Sequence, residues 1–461
     1  MIKTHNGHLP IKWTDLRDQL GGQLYLPGDP DWDAVRQGWN LAADQQPAAV
    51  AIPADAAEMA LVVRYARGAD LRVAVQGTGH AAEEAASLEP AILLKTSRLR
   101  GLTIDPVART ARAEAGVLWA EVGKAAGERG LAGLAGSSPD VGVIGYTLGG
   151  GFGWLSRRYG LAANSVLAAE VITASGEMIR ADATTEPELF WALRGGGGSF
   201  AAVTALEFGL YPVAEVYAGA LLWPIERAAD VLGAWRRWAE SAPSEFTTCA
   251  RLLRLPPIPD IPEVLRGRSL VVVDGAFVGD EVQGAQLMQP LKDLGPEIDT
   301  FRQMPASELT QIHMDPEHPV PGRWNSMILA DLTPEAIEAL LAVAGPDQRL
   351  PLLAVDIRHA GGALAVAQPQ HGVAGTVDGR FILFAVGMVV NPELKVAVPT
   401  AVASVLAALA PWDAGRRFLN LMGEPAAGVA IFGQEGYERL LRIRARYDPD
   451  RVFLAAHEVT G

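Results

Sequence analysis

The chain has 461 residues, of which 49% are hydrophobic and 20% are charged. This composition is typical of a globular protein with enough apolar side chains for two cores, so we expect two domains. The formal net charge of −14 argues against nucleic-acid binding, because no positive field is available to hold phosphodiester backbones.

Targeting and redox features predict a cytoplasmic protein without a membrane partner. The first ten residues are polar and lack the apolar run of a secretion signal. No uninterrupted apolar stretch in the sequence reaches the length of a membrane span. The single cysteine, Cys249, cannot form an intrachain disulfide and is predicted to be a buried, inert thiol. The oligomeric state stays open.

Short β-rich runs alternate with helical patterns from residue 53 to about residue 213. Apolar runs bounded by turn residues predict strands at residues 72–76, 91–95, 110–114 and 169–173. Apolar periodicity with acidic starts or basic ends predicts helices at residues 56–67 and 119–129.

The pattern changes after residue 213, where longer helices begin. Helices are predicted at residues 225–241 and 335–343, and strands at residues 270–273, 352–358 and 380–390. From residue 411 the chain reads as helix and loops. The sequence therefore predicts an α+β protein with three segments, residues 1–213, 214–410 and 411–461.

The first of three glycine-rich segments is residues 73–80, Val-Ala-Val-Gln-Gly-Thr-Gly-His, a strand that enters a loop of small residues. Gly77 and Gly79 allow consecutive backbone N–H groups to point at an anion such as pyrophosphate. His80 would then lie beside the ligand. The same pattern also occurs in plain turns, in which His80 would be a capping or surface residue.

The other two segments, residues 136–153 and 189–200, are still richer in glycine. Such density is destabilising unless a rigid body lies against the backbone, and a planar cofactor is such a body. A flexible hinge is the alternative. Neither segment fits the G-x-G-x-x-G or G-x-x-x-x-G-K-[ST] pattern, which disfavours the Rossmann and P-loop classes.

The order and spacing of these segments resemble the bacterial berberine-bridge-enzyme-like group of FAD-linked oxidases, within the vanillyl-alcohol-oxidase superfamily. Residues 76–80 resemble the group's Arg-x-Gly-Gly-His loop, and residues 189–204 its Leu-Phe-Trp-Ala-Leu-Arg-Gly-Gly-Gly-Gly-Asn-Phe-Gly-Val-Val-Thr segment. Residues 447–453 resemble its closing Tyr-Asp-Pro-x-x-x-Phe motif.

The resemblance covers nearly the whole chain and implies a fold for it. Residues 1–213 and 411–461 would form a two-part FAD-binding domain of the vanillyl-alcohol-oxidase type. Residues 214–410 would form an α/β substrate domain whose antiparallel sheet covers the flavin.

The cofactor that the resemblance implies is FAD, bonded covalently to His80. Many relatives add a second bond from a cysteine just before the proline of the second segment, but Ser138 occupies that position here. FAD should therefore be tethered through His80 only. The implied cofactor-binding residues are Gln76, Gly77, Thr78, Gly79, His80, Ser138, Pro139, Val141, Gly142, Gly145, Gly149, Gly150, Gly151, Gly153, Val203, Asn420 and His457.

Other departures imply that the hydrogen bonding around the flavin is partly rewritten. Tyr146 replaces the group's usual histidine, and Ser199 replaces an asparagine. Ala456 and Glu458 flank His457 where relatives carry asparagines. Val141 matches a position at which a small valine accompanies use of O₂ in relatives, which implies an oxidase.

In the group, strands of the second domain line the substrate pocket. Residues 352–359 place Ala354, Asp356 and Arg358 on one face of a strand. Asp356 is the first candidate base, with Arg358 orienting an anionic or carbonyl group. A solvent-facing ion pair is the alternative. Tyr146 and Asn420, the latter in a segment that resembles one beside the flavin, complete the predicted catalytic set.

The loop at residues 313–318 contains His313, Asp315 and His318, which are possible metal ligands. Pro316 interrupts any helix there, and no second cluster supports a metal. We therefore predict a surface loop near the pocket mouth and no metal site.

Together these features predict an oxidase that transfers a hydride from a C–H of a small organic substrate to flavin N5. The substrate would be an alcohol, amine, sugar or secondary metabolite, and O₂ would reoxidise the flavin to give H₂O₂. Two alternatives stay open. One is a flavin-dependent dehydrogenase or cyclase that does not use O₂, and the other is a non-catalytic FAD-binding protein.

Overall fold

The computed structural model of the chain describes residues 12–460 apart from residues 22, 83–87 and 89. The polar start of the chain, residues 1–10, lies outside the described residues. The described strands are β1 (Leu24–Tyr25), β2 (Ala49–Ala51), β3 (Arg72–Gln76), β4 (Ala91–Lys95), β5 (Leu102–Asp105), β6 (Thr110–Glu114), β7 (Val166–Ile172), β8 (Met178–Asp182), β9 (Ala202–Gly209), β10 (Glu215–Pro224), β11 (Phe246–Arg254), β12 (Ser269–Phe277), β13 (Ile298–Asp299), β14 (Arg302–Pro305), β15 (Gly322–Leu329), β16 (Ala354–His359), β17 (Phe381–Met388) and β18 (Phe453–Leu454).

The α-helices in the same part of the chain are α1 (Trp13–Gln19), α2 (Trp32–Arg36), α3 (Ala56–Gly68), α4 (Trp119–Gly127), α5 (Val143–Leu148), α6 (Ser156–Tyr159), α7 (Pro187–Leu193), α8 (Ala228–Ser241), α9 (Glu281–Lys292), α10 (Pro334–Ala344), α11 (Pro392–Leu409), α12 (Gly428–Phe432) and α13 (Gln434–Tyr447). Local chemistry explains their positions. Asp55 caps α3 by accepting a hydrogen bond of 2.9 Å from the Glu58 N–H. Helix α8 buries Val231, Trp235 and Trp238 along one side at helical spacing.

Two sheets share one core in the first half of the chain. The first has the strand order β1-β2-β4-β3-β18, with parallel pairs from β2 to β18, and the second is antiparallel with the order β5-β6-β9-β7-β8. Strand β18, near the end of the chain, pairs with β3 so that Phe453 lies opposite Val73. The last segment therefore returns to the strand that leads into the first glycine-rich loop.

The third sheet is antiparallel and has the order β13-β10-β12-β11-β16-β17-β15, with β14 also paired to β10. Helices α8, α9, α10 and α11 pack on one face of this sheet and form the second core with it. On the opposite face, Ile328 and Ile382 pack against Phe152 and Phe418. That face of the third sheet therefore lies against the second glycine-rich segment.

Helix α11 belongs to the only span in the described residues, Pro392–Trp412, that is long and apolar enough to cross a membrane by length and composition. In the fold, Val398, Val402 and Val405 of this helix pack into the second core. A core helix of a globular protein passes the same test, and the packing explains the apolar composition.

Candidate active site

The first glycine-rich loop follows β3 and turns sharply toward the residues around position 38. Gly79 has a φ of 84°, and a Cβ atom there would lie 2.7 Å from the Cα of Gly38. Only glycine fits this combination of conformation and close approach. The loop therefore fixes where His80 emerges.

His80 is held by three neighbours from different parts of the chain. Its Nδ1 lies 2.7 Å from the Thr78 hydroxyl, and its ring stacks on Trp39 with a centroid distance of 4.2 Å. Its Nε2 lies 3.5 Å from an Asp140 carboxylate oxygen. This nitrogen is buried and has no hydrogen-bond partner.

Asp140 joins the first loop to the second glycine-rich segment. Its carboxylate accepts hydrogen bonds from Ser138 Oγ at 2.7 Å and from the Trp39 indole N–H. Burial raises the pKa of Asp140, but the nearby His80 ring and the hydrogen bonds from Ser138 and Trp39 outweigh that effect and leave the pKa below its usual value. Ser138 therefore holds a carboxylate beside His80. Sequence reasoning missed both Asp140 and Trp39.

Protein atoms, and not the expected planar cofactor, lie against the glycines at the end of the second segment. A Cβ atom would lie 2.6 Å from the Asn420 side chain at Gly149, 2.5 Å from the Tyr146 ring at Gly151, and 1.8 Å from the Ala135 carbonyl oxygen at Gly153. The interpretation that a planar cofactor requires these glycines is therefore wrong at these positions, because the protein itself fills the space. Contact of these residues with FAD stays a prediction.

The third segment gives the same result. A Cβ atom at Gly195 would lie 2.1 Å from the Cβ of Ala374, so this glycine is required by a loop of the protein. A flexible hinge does not describe the segment either, because its neighbours pack closely against it.

Open space remains beside other glycines of the first two segments. A Cβ atom at Gly145 would meet nothing within 4 Å, and one at Gly77 or Gly142 would meet its nearest neighbour at 3.7 Å. Three buried polar atoms nearby have no hydrogen-bond partner, namely Gln76 Oε1, His80 Nε2 and Tyr146 Oη. Because buried polar atoms are normally satisfied, these residues fit a bound group with polar edges, as FAD has.

Pro139, Val203 and His457, which also belong to the predicted FAD set, lie in the following surroundings within the protein. The Pro139 carbonyl accepts a hydrogen bond of 3.0 Å from the Ala120 N–H. Val203 lies in the first core on β9. Burial lowers the pKa of His457 to about 4, so this histidine is neutral at pH 7. Their contacts with FAD stay predictions.

Asn420 ties the second glycine-rich segment together. Its Nδ2 donates to the Tyr146 carbonyl at 2.9 Å, and its Oδ1 accepts from the Gly151 N–H at 2.8 Å. Both ends of its amide are therefore engaged with the backbone of the segment. Tyr146, on α5, has a fully buried hydroxyl whose pKa burial raises, which keeps it protonated.

Charged side chains line the face of the third sheet that lies against this segment. Asp356 and Arg358 on β16 pair with Arg251 and Cys249 on β11, and Asp274 on β12 lies opposite Cys249. Asp356 is 2% exposed and Asp274 is fully buried. The pair of Asp356 and Arg358 is thus part of a buried network, and the alternative of a solvent-facing ion pair is wrong.

His313 is the centre of this network. Its Nδ1 lies 2.8 Å from Asp274 Oδ2, and its Nε2 lies 3.4 Å from Asp356 Oδ2. Arg251 binds the same Asp274 oxygen at 2.8 Å, and Arg358 binds Asp356 Oδ2 at 3.3 Å. The other Asp356 oxygen, Oδ1, is buried without a hydrogen-bond partner.

The prediction that residues 313–318 form a surface loop is therefore wrong for His313, which is 3% exposed. Arg251 donates to its carbonyl oxygen at 2.9 Å, and the Trp154 ring lies 5.7 Å from its ring. Further along the loop, His318 is exposed as predicted. Among the described residues, no group of three or more histidine, cysteine or acidic side chains is arranged to hold a metal ion.

The network shifts the pKa values of His313 and Asp356 in opposite directions. Burial and Arg251 lower the pKa of His313, but Asp315 and Asp274 outweigh them and raise it to about 9. Burial raises the pKa of Asp356, but His313 and Arg358 bring it down to about 2. At pH 7 the pair is therefore an imidazolium beside a carboxylate.

A small cavity separates the charged face from the second glycine-rich segment. Ser137, Phe152, Gly153 and Trp154 line one side, and Thr248, Cys249, His313 and Arg358 line the other. Cys249 is buried as predicted, and burial raises its pKa, so it is a thiol at neutral pH. The cavity brings together residues from both halves of the chain.

Comparisons with known proteins agree with this geometry. Residues 47–182 match the family described as "FAD binding domain", and residues 417–460 match the family described as "Berberine and berberine like". An "(R)-6-hydroxynicotine oxidase" of Paenarthrobacter nicotinovorans is 35% identical over 44% of the chain and 45% of its own length. The chain thus spans less than half of that relative. An "Uncharacterized FAD-linked oxidoreductase", YvdP of Bacillus subtilis, is 27% identical over 94% of the chain and 97% of the relative.

Solved structures show that the fold is shared over almost the entire chain. The 6-hydroxy-D-nicotine oxidase of Arthrobacter nicotinovorans superposes with a TM-score of 0.82 at 24% identity, covering 93% of this chain and 96% of that one. A berberine-bridge-enzyme-like protein of Physcomitrella patens gives 0.85 at 18% identity, with coverages of 98% and 99%. The predicted fold class and the predicted dependence on FAD are confirmed. Two parts of the chain thus match the FAD-binding and the berberine-like families, the sequence is similar to that of an FAD-linked oxidoreductase, and the fold is that of berberine-bridge-enzyme-like proteins.

Proposed function

We propose that the protein is an oxidase that removes a hydride from a C–H of a small organic molecule bound in the cavity between the third sheet and the second glycine-rich segment. The observation that carries this proposal is the cavity, since buried charged groups of one domain face the FAD-type segment of the other across it. FAD, when bound, supplies the hydride acceptor, and O₂ regenerates it with release of H₂O₂.

The protein's own groups would position the substrate and handle its proton. Arg358 lines the cavity and is held by Asp356, so it is placed to orient a carbonyl or anionic group. Tyr146 offers a protonated, unpartnered hydroxyl in the second glycine-rich segment, on α5. Asn420 acts through the backbone of the glycine-rich segment and is best described as a positioning residue.

The test is anaerobic mixing of the purified holoenzyme with a panel of compounds. The names of similar proteins supply its first members, namely (R)-6-hydroxynicotine, gluco-oligosaccharides, chitooligosaccharides and glucose. Loss of the flavin absorbance with one of them, followed by recovery and H₂O₂ formation on admission of air, supports the proposal. No bleaching with a wide range of alcohols, amines and sugars would favour the non-catalytic alternative.

The choice between oxidase and dehydrogenase rests on Val141. The proposal expects fast reoxidation by O₂ in the wild-type protein and slower reoxidation in Val141→Leu, with the rate of flavin reduction unchanged. Slow reoxidation in the wild-type protein would favour the dehydrogenase or cyclase.

We also propose that FAD is tethered covalently through His80 alone. Support comes from the loop that fixes His80, from its unpartnered Nε2, and from Ser138, whose hydroxyl binds Asp140. Acid precipitation of the wild-type protein should give a yellow pellet, and His80→Ala should give a colourless pellet with a yellow supernatant. A colourless wild-type pellet would exclude the tether.

Cytoplasmic location and the absence of nucleic-acid and membrane partners stay predictions from composition and charge. The acidic surface and the apolar second domain favour a neutral or aromatic substrate.

A further inference from the structure

The buried network on the third sheet offers Asp356 and His313 as candidates for the group that takes the substrate proton. The contacts of Asp356 make it a weak base. Its Oδ2 faces two cations, Arg358 at 3.3 Å and His313 at 3.4 Å, and its pKa is lowered to about 2. An effective general base has a pKa near the working pH, so the carboxylate alone is poorly suited to the role.

His313 has the geometry of an oriented imidazole base. Asp274 is fully buried and binds Nδ1 at 2.8 Å, so it holds the ring in one orientation and favours the N–H at Nδ1. Nε2, which lies 3.4 Å from Asp356 Oδ2, is then the nitrogen that exchanges a proton. His313 lines the cavity, whereas Asp356 is not among the lining residues.

The position of His313 opposite Trp154 also favours it over Asp356 as the base. His313 lies there beside Arg358 and Cys249, and its ring faces Trp154 of the opposite segment at 5.7 Å. A molecule bound between Trp154 and the third sheet would therefore meet the imidazole before the carboxylate behind it.

We propose that His313 is the catalytic base of this enzyme, that Asp274 is its positioning residue, and that Asp356 stabilises the charge that forms on it. The assignment rests on the oxidase function proposed above and replaces Asp356 as the group that takes the substrate proton. The family matches do not include position 313, and the sequence pattern indicated His313 only as a possible metal ligand.

The substrate of the proposed proton transfer is an alcohol or an amine. The O–H or N–H bond breaks, its proton goes to Nε2 of His313, and its electron pair forms the new C=O or C=N bond. The hydride from carbon goes to FAD, the oxidant in the proposed function. Asp315, whose Oδ1 lies 3.9 Å from Nε2 and whose side chain is 32% exposed, offers the route by which the imidazolium releases its proton.

Charged and titratable groups surround His313 on every packed element. They are Asp274 on β12, Arg251 and Cys249 on β11, Asp356 and Arg358 on β16, and Asp315 in its own loop. Burial and Arg251 oppose the imidazolium, but Asp315 and Asp274 favour it and raise the pKa of His313 to about 9. Only neutral His313 can accept a proton, and the raised pKa means that most of it is protonated at pH 7.

The first test is the pH dependence of flavin reduction, measured anaerobically at saturating concentration of the panel compound that reduces the flavin. In the wild-type holoenzyme the rate constant should rise about tenfold per pH unit from pH 6 and level near pH 9. His313→Gln should lower the plateau by at least about a hundredfold and remove the rise. His318→Gln, an exposed position in the same loop, is the matched control and should behave as the wild type.

Two further variants separate His313 from its neighbours. Asp274→Asn and Asp356→Asn each remove an anion that favours the imidazolium, so both should move the rise to lower pH. Asp356→Asn should keep the plateau within about tenfold of the wild type, because the base is still present. Loss of all reduction in Asp356→Asn, with a normal profile in His313→Gln, would overturn the assignment and restore Asp356 as the base.

The second test does not need a substrate. A raised pKa in the folded state means that the stabilising contribution of His313 is fully present below its unfolded value of 6.5 and is lost as pH rises through about 9. The Tm difference between wild-type holoenzyme and His313→Gln should therefore shrink from pH 6.5 to pH 9.5. A difference that does not change with pH would contradict the proposed ionisation, even where no panel compound reduces the flavin and the proposed function itself fails.

Discussion

Tyr146 and Tyr447 carry buried or half-buried hydroxyls with opposite hydrogen-bond states. The Tyr146 hydroxyl is fully buried and has no partner, whereas the Tyr447 hydroxyl donates to Glu186. A polar atom that is buried without a hydrogen-bond partner lowers the free energy of unfolding. No group in the described part of the chain offsets this loss at the Tyr146 hydroxyl. A hydrogen bond from the Tyr146 hydroxyl to a bound ligand would offset this loss, which fits a role of Tyr146 in ligand binding.

Tyr146→Phe should therefore leave the free energy of unfolding of the apoprotein unchanged or raise it by up to about 1 kcal/mol, because it removes an unsatisfied group. The same variant should slow flavin reduction, since the hydroxyl is close enough to Arg358, which lines the cavity, to feel its charge. Chemical denaturation and anaerobic reduction measure the two effects. Tyr447→Phe, which removes a hydrogen bond, should cost about 1 kcal/mol and leave reduction intact. A stability loss in Tyr146→Phe would contradict the unpartnered hydroxyl.

At single residues, the sequence predicted positions that sit inside a motif and missed those that reach a site from afar. His80 and Ser138 could be found because glycines and a proline mark their segments. Trp39 contacts Asp140 across 101 positions, and His313 reaches Asp356 across 43. A local sequence pattern does not predict contacts between residues so far apart in the chain. The proline in the loop after His313 led instead to the prediction of a surface loop.

Secondary-structure elements followed from the sequence more reliably. Strands β3, β4 and β6 have the predicted bounds, and α8 occupies the predicted helix from its fourth residue onward. Alternation on β16 correctly placed Asp356 and Arg358 on one face, because Val355 and Ile357 fill the core behind them. The reason for the glycine density was missed, since close packing of protein on backbone looks the same in sequence as close packing of a cofactor.

Some glycines of the second glycine-rich segment lie against protein and others beside open space, and substitution by alanine should affect stability differently in the two cases. Gly153→Ala should destabilise the apoprotein by more than about 3 kcal/mol, because the new Cβ would lie 1.8 Å from the rigid carbonyl of Ala135. Gly145→Ala lies in α5 with open space around it and should raise stability by about 0.5–1 kcal/mol. Denaturant unfolding of the apoproteins measures both.

The loading of FAD tests whether the cofactor lies beside Gly145. If FAD occupies the open space beside α5, this variant should load less flavin than the wild type although its apoprotein is the more stable of the two. The flavin-to-protein absorbance ratio is the measurement. Full loading in Gly145→Ala would place the cofactor elsewhere.

On the scale of the whole molecule, two separate cores meet around one site. The first core joins two sheets and takes β18 from the end of the chain, and the second lies behind the third sheet. The division at residues 213 and 410 stays a prediction, although the chain crosses between the cores close to both points. A ligand held between them would stabilise both halves together.

This arrangement makes the dependence of Tm on free FAD a direct measure of the tether. A ligand that binds only the folded state stabilises it by an amount that grows with its concentration, about 2.7 kcal/mol at one hundred times Kd. His80→Ala should bind FAD without a covalent bond, so its Tm should rise as FAD is added. With the proposed tether in place, the wild type would carry its own FAD in fixed proportion, so its Tm should not respond, and neither should that of His318→Ala, which changes an exposed histidine. An equal rise in wild type and His80→Ala would mean that His80 binds no flavin covalently, and that the loop holds FAD through its backbone alone.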